Sequence, residues 1–150
     1  MSLYYFAFGS NMDKQQMIDR EVEFTEMQKG IMKDWKLVFN KRKWKGEGVG
    51  FANIVPEYGL TVEGIIYKVN ENTIQTLDDL EGIPKAYHKK TMLVENINKE
   101  SVNCIVYIAN HSRTNNSLKP EKKYLNHLLA GKEFLSEEYY SELKNTEILD

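Results

Sequence analysis

Residues 5–12 read YFAFGSNM. The first four are aromatic or small and apolar, and with Leu3 and Tyr4 they predict a buried strand over Leu3–Phe8. Gly9 follows. It can take a positive φ, and it lets another group approach the backbone closely. Ser10 has the side chain of a helix N-cap, and Asp13 stands three residues on, the capping-box spacing with Asp in the usual Glu place. The expectation is an apolar strand that turns through Gly9 into a helix starting at Ser10. Such a junction leaves backbone N–H groups free at the positive end of a helix dipole, where a carboxylate or an oxyanion can bind. Many folds leave such junctions empty, so the segment marks a place rather than a ligand.

The 150 residues suffice for a single domain spanning 1–150 with a sizeable core. A hydrophobic share of 41% and a charged share of 28% fit a soluble globular chain. A net charge of -2 argues against nucleic acid or an anionic membrane as the main partner. No apolar run approaches membrane-spanning length, and the first five residues lack a basic stretch, so neither a membrane span nor an export signal is expected. The lone Cys104 excludes an internal disulfide and fits a reducing compartment, hence the cytoplasm. It lies in VNCIVYIA, residues 102–109, and reads as a buried small hydrophobe rather than a nucleophile.

Working outward from the opening strand, Asp13 to about Arg20 predicts a short helix, with Met12 and Met17 as core contacts. Residues 21–29 are polar and ambiguous. Ile31–Asn40 alternates, with Trp35, Leu37 and Phe39 on one face and Lys36 and Asn40 on the other, which predicts a half-exposed strand. Residues 40–50, NKRKWKGEGVG, are rich in glycine and basic side chains and read as a loop. The glycine spacing is not that of a dinucleotide fingerprint, and FANIVP, a strand ended by Pro56, follows where a helix would be needed. The ordinary explanation of the basic run is a solvated loop; the sharper one is a lid that attracts an anionic substrate. Tyr58–Gly59 reads as a turn, and Leu60–Val69 as a longer strand in which Gly64 marks a bulge or a close approach.

Asn70 is a candidate N-cap for a helix over Glu71–Glu81 with Ile74, Leu77 and Leu80 inward, closed by Gly82 at C′ with Pro84 beyond. Tyr87–Val94 and Ser101–Ala109 read as paired strands, and Asn110–Lys119 as a polar loop. Pro120 opens a helix carrying Tyr124, Leu125, Leu128 and Leu129, stopped by Gly131. Ser136 caps a last helix through about Leu143. Strands and helices mix without a βαβ rhythm, which predicts an α+β fold with a mixed, curled sheet and a few flanking helices.

Asp78, Asp79 and Glu81 crowd the end of the 71–81 helix. A carboxylate at a helix C-terminus is disfavoured by about 0.3–1 kcal/mol when exposed, and like-charged neighbours and burial add to this. The result would be a carboxyl with a raised pKa, which suits general acid–base work. The ordinary reading of the same residues is a solvated helix face. His88, His111 and His127 are scattered, with no pair at ligand spacing, so no metal is expected. Ser10 as a nucleophile lacks the G-x-S-x-G setting.

Taken together, YFAFGSNM, FNKR followed by GFANIVP, VEGIIYKV, LDDLEG with Tyr87 after it, and PEKKYLNHLLAG resemble the γ-glutamylcyclotransferase, or AIG2-like, family, in the family's order and through nearly the whole chain. The resemblance implies a barrel-like sheet. It also implies a substrate-binding loop at Tyr5, Phe6, Ala7, Phe8, Gly9, Ser10 and Asn11, a catalytic glutamate at Glu81 and a substrate-contacting tyrosine at Tyr124. Phe8 stands where the family usually has Tyr, which removes a hydroxyl from the loop. The implied reaction is attack of a substrate's own α-amine on its γ-glutamyl amide, releasing 5-oxoproline and an amino acid or amine, without a cofactor. The implied partner is a small γ-glutamyl compound, and a homodimer is compatible with such a fold. The alternatives are a non-catalytic module that binds a γ-glutamyl-like metabolite, and a hydrolase using Ser10.

Overall fold

The computed structural model of the protein describes residues 2–43 and 48–149. The apolar opening forms strand β1, Leu3–Ala7. A single 3-10 turn, Ser10–Met12, leads into helix α1, Lys14–Asp19. Two long strands follow, β2 (Glu26–Arg42) and β3 (Gly50–Val69). Helix α2 (Glu71–Glu81), strands β4 (Tyr87–Asn96) and β5 (Ser101–Ala109), and helices α3 (Lys122–Leu129) and α4 (Glu137–Lys144) complete the order. The strands close into a barrel in the order β1-β3-β2-β4-β5. Neighbours are antiparallel except β5 and β1, which run parallel and meet at Tyr5 and Ile105. The architecture is α+β, with a mixed, closed sheet and four flanking α-helices.

The barrel fills with side chains from every strand, including Phe6, Met32, Ile54, Ile66, Val94 and Val106, each at most 2% exposed. Met12 and Met17 join this core. Phe6 fits because Gly30 and Gly64 pair across β2 and β3 and carry no side chain. A Cβ at either position would lie 2.9 Å from the Phe6 ring, and one at Gly64 would also lie 2.3 Å from the Ala7 carbonyl oxygen. Gly64 is therefore a close-approach residue. Cys104 is fully buried, and burial pushes its thiol pKa up to about 12, an inert setting.

Helix α2 forms as its caps predict. Asn70 Oδ1 accepts from Thr73 N at 2.9 Å, and Gly82 takes the left-handed conformation (φ 67, ψ 48) that a C-cap needs and other residues resist. Leu80 does not turn inward; it is 47% exposed, whereas Thr73, Ile74 and Leu77 form the buried face of α2. Ser136 caps α4 by accepting from Tyr139 N.

Several expectations change once strands pair. Ser10 is not an α-helix N-cap: it makes no capping bond, and Asp13 caps α1 by accepting from Gln15 N. Gly9 does not use its conformational freedom, having φ -112. No chain reversal occurs at Tyr58–Gly59. Strand β3 runs through it, and residues 57–60 bulge opposite Asp34, whose carboxylate accepts from Gly59 N at 3.0 Å. Asn40, expected to face solvent, is 7% exposed. A second bulge, between Val38 and Lys41, inserts one extra residue and reverses the alternation. Asn40 is then bonded by Asn53 Nδ2 at 3.0 Å, and its carbonyl accepts from Asn115 N at 2.8 Å, tying the 110–119 loop to the barrel. The expected 40–50 loop is strand at both ends: Asn40–Arg42 close β2 and Gly50 opens β3. The middle of the lid expected there, residues 44–47, lies outside the described residues. Among the described residues, no helix is long and apolar enough to cross a membrane.

Candidate active site

A cavity of about 490 Å³ opens beside the turn after β1. Tyr5, Phe6, Phe8, Gly9, Ser10 and Asn11 line it from that segment, Glu81 from the last residue of α2, and Tyr124 from α3. Ala7 is the one member of the expected loop that does not reach it. It is 1% exposed, with its carbonyl packed against Gly64, because it serves the barrel wall.

Asn11 knots the turn. Its Nδ2 donates to Tyr5 Oη at 3.0 Å, its Oδ1 accepts from Gln16 Nε2 and Arg20 Nη1, and its carbonyl accepts from Tyr67 Oη at 2.6 Å. Tyr5 stacks on Tyr67 and meets Tyr107 edge-on, so its ring is held on both sides. Ser10 Oγ accepts from Gln16 Nε2 at 2.7 Å. The backbone N–H groups of Ser10 and Asn11 have no acceptor among the described residues. They are the free donors that the opening sequence suggested, although they start a 3-10 turn and not an α-helix. Tyr124 Oη accepts from Ala52 N at 3.0 Å, and burial pushes its pKa up to about 12. A Cβ on Gly9 would stand 3.1 Å from Ala52 Cβ and 3.4 Å from Tyr124 Oη, so Gly9 is small for contact reasons.

Glu81 owes its place to α2. Ile74 and Leu77 seat the helix on the barrel, and one turn before Glu81 the Asp78 carboxylate accepts from Tyr107 Oη at 2.7 Å and Lys89 Nζ at 2.6 Å. Glu81 is half-buried, since its carboxyl borders the open cavity, yet it is ringed by protein. Burial pushes its pKa from 4.5 up to about 7, with Arg20 and Lys41 pulling the other way. The cause is chiefly desolvation, not the acidic neighbours that the sequence offered: Asp78 is neutralised by Lys89.

This raised pKa has a stability consequence. A carboxyl whose pKa is higher folded than unfolded destabilises the fold increasingly as pH rises from about 4.5 through about 7, by at most about 3 kcal/mol. Glu81→Gln is therefore expected to raise the melting temperature by several degrees at pH 8 and by almost nothing at pH 4.5. Thermal melts of both proteins across that range check this; an equal effect at both pH values would contradict the raised pKa.

A family model described as Gamma-glutamyl cyclotransferase, AIG2-like matches residues 5–126. The chain belongs to the γ-glutamyl cyclotransferase, AIG2-like family. A human protein named Gamma-glutamylcyclotransferase is 30% identical over 88 residues, 55% of this chain and 45% of its own length, so that match spans less than half of the relative. A mouse protein of the same name is 26% identical over 152 residues, 95% of this chain and 78% of its own. A solved structure titled Gamma-glutamyl cyclotransferase superposes with a TM-score of 0.87 at 25% identity, covering 100% of this chain and 90% of that one.

The family segments near the start, at LDDLEG and at KKYL thus meet at one cavity. Arg20, Tyr87 and Tyr107 also line it and were not among the expected site residues, and Lys41 was expected only as part of the 40–50 basic loop. Lys41 faces inward because of the β2 bulge, which no local pattern reveals. Tyr107 could have been found, since in VNCIVYIA it is the polar-tipped member of a buried run. Of the histidines, His127 Nδ1 lies 2.8 Å from Asp13 Oδ2 and His88 Nδ1 lies 2.9 Å from Asn110 Oδ1. No group of three or more His, Cys, Asp or Glu suited to a metal occurs among the described residues.

Proposed function

We propose that the protein is an intramolecular γ-glutamyl cyclotransferase, converting a γ-glutamyl compound into 5-oxoproline and a free amine or amino acid, with Glu81 as the proton shuttle. The observation that carries this is a carboxyl with a pKa near 7 lining the same cavity as Ser10 and Asn11, whose backbone N–H groups have no acceptor among the described residues. The substrate's α-amine attacks its own γ-carbonyl carbon, a ring closure for which proximity is already supplied. Glu81 accepts a proton from the attacking nitrogen and gives it to the leaving nitrogen as the amide C–N bond breaks. The N–H groups of Ser10 and Asn11 serve the anionic groups of the substrate, its α-carboxylate or the oxyanion that develops on the γ-carbonyl. Tyr124 and Tyr5 shape the walls, and Phe8 contributes an apolar face with no hydroxyl. The partner is a small molecule, and we place the protein in the cytoplasm on its single, buried thiol.

The hydrolase reading finds little support. Ser10 Oγ is engaged by Gln16, and among the described residues no histidine is bonded to it. Incubation with a panel of γ-glutamyl amino acids and amines in ¹⁸O-labelled water, followed by mass detection, tests the proposal. Unlabelled 5-oxoproline supports it; labelled glutamate would give the reaction to a hydrolase. Binding without any product would make the chain a non-catalytic module. With substrate turning over, kcat/KM is expected to fall as pH drops below about 7, because protonated Glu81 cannot accept the first proton. A profile flat from pH 5 to 8 would remove Glu81 from that role.

A further inference from the structure

Lys41 is a cavity residue that the reaction above leaves without a task. It is 8% exposed and lines the cavity. Its Nζ donates to Arg42 O at 2.8 Å and stands over the rings of Tyr87, at 5.2 Å, and Phe51, at 5.7 Å. An ammonium has three N–H donors, and no ion pair among the described residues involves this one. Burial and the nearby Arg113 and Arg42 push its pKa down, while Glu81 pulls it back up. A buried cation set among other cations weakens a fold unless something anionic meets it. The chain nevertheless holds it in place: the bulge before Lys41 turns it inward, and the bond from Asn53 to Asn40 locks that bulge. Among the described residues, the acidic side chains lining the cavity with Arg20, Lys41 and Lys123 are Glu81 and Glu121, and Glu81 is partly protonated near neutral pH. The glutamyl half of the substrate has its donors in the turn at Ser10 and Asn11. The surplus positive charge at Lys41 calls for a second anion on the other half.

We infer that Lys41 is a specificity-determining residue that binds a carboxylate on the leaving half of the substrate, so that the preferred γ-glutamyl compounds release an amino acid and not a simple amine. This rests on the γ-glutamyl reading proposed above. Two probes isolate it: γ-glutamylalanine and γ-glutamylethylamide differ only in one carboxylate. Calorimetric binding to the Glu81→Gln protein measures their affinities without turnover. The alanine conjugate is expected to bind about 10- to 100-fold more tightly, the range of one charge-assisted hydrogen bond. Adding Lys41→Met, which keeps most of the apolar stem and removes the ammonium, is expected to bring the two affinities together by weakening only the alanine conjugate. Lys41→Arg is expected to retain the preference and guards against a packing artefact. Equal binding of both probes before the change, or a preference that survives Lys41→Met, overturns the assignment and leaves the γ-glutamyl reading standing. Binding of neither probe sinks that reading, and the assignment with it. Equal weakening of both probes by Lys41→Met would make Lys41 a structural prop and also overturn it.

Discussion

Glu81→Gln is expected to stop formation of 5-oxoproline while leaving the barrel intact. Gln has nearly the shape of Glu, and Glu81 forms none of the ion pairs among the described residues, so packing has little reason to change. The amide cannot carry a proton between the two nitrogens. Acid–base catalysis of this type contributes about 10²–10⁴-fold, and turnover should drop by at least that much. The drop should appear in kcat, because the contacts at Ser10, Asn11 and Tyr124 remain. Mass detection of 5-oxoproline, with calorimetric binding of γ-glutamylethylamide alongside, separates lost chemistry from lost binding. A variant that keeps wild-type turnover would refute the shuttle. One that turns over slowly but no longer binds would move Glu81 from chemistry to recognition.

A large loss of stability is expected from Gly64→Ala. The added methyl would sit 2.3 Å from the Ala7 carbonyl oxygen and 2.9 Å from the Phe6 ring. The first is backbone in a paired strand and cannot swing aside, and the second is a 1% exposed core ring. Overpacking of this kind costs up to about 3 kcal/mol where side chains can yield, and here the obstacle is main chain. With roughly 2–4 °C per kcal/mol for a chain of this size, the melting temperature should fall by about 6–12 °C or more. Thr61→Ala, on the same strand but exposed, is the control and should change stability by less than about 0.5 kcal/mol. Equal melting of the two variants would mean that β1 and β3 separate easily at Gly64.

What could be read from the chain alone follows the range of the forces involved. Helix α2 was legible from Asn70 to Gly82 because capping is local chemistry. The apolar β1, the β4–β5 pair and the buried Cys104 follow from short patterns for the same reason. The family blocks named nine site residues, of which all but Ala7 line the cavity. Asn40, Lys41 and the Tyr58–Gly59 segment were misjudged for one shared cause. Each lies at or beside a bulge in the β2–β3 ladder, and a bulge changes which way side chains face through a partner strand that local sequence does not contain. Glu81 shows the same limit in energetic form. Its position at a helix end was legible, but the main source of its raised pKa is enclosure by protein, against which Arg20 and Lys41 pull.

The parallel contact that shuts the barrel joins Tyr5 to Ile105, and Tyr5 is also a wall of the cavity. The site draws on residues from position 5 to position 127, so a ribosome must have delivered most of the chain before any of it can be assembled. Joining such distant segments carries a loop-closure entropy that the early strands cannot offset by themselves. Competence to bind should thus arrive together with the final rung and not piece by piece. A nascent chain lacking β5 and α3 would hold the YFAFGSNM segment without Tyr107 and Tyr124 to complete the cavity, and such a molecule would be silent rather than partly active.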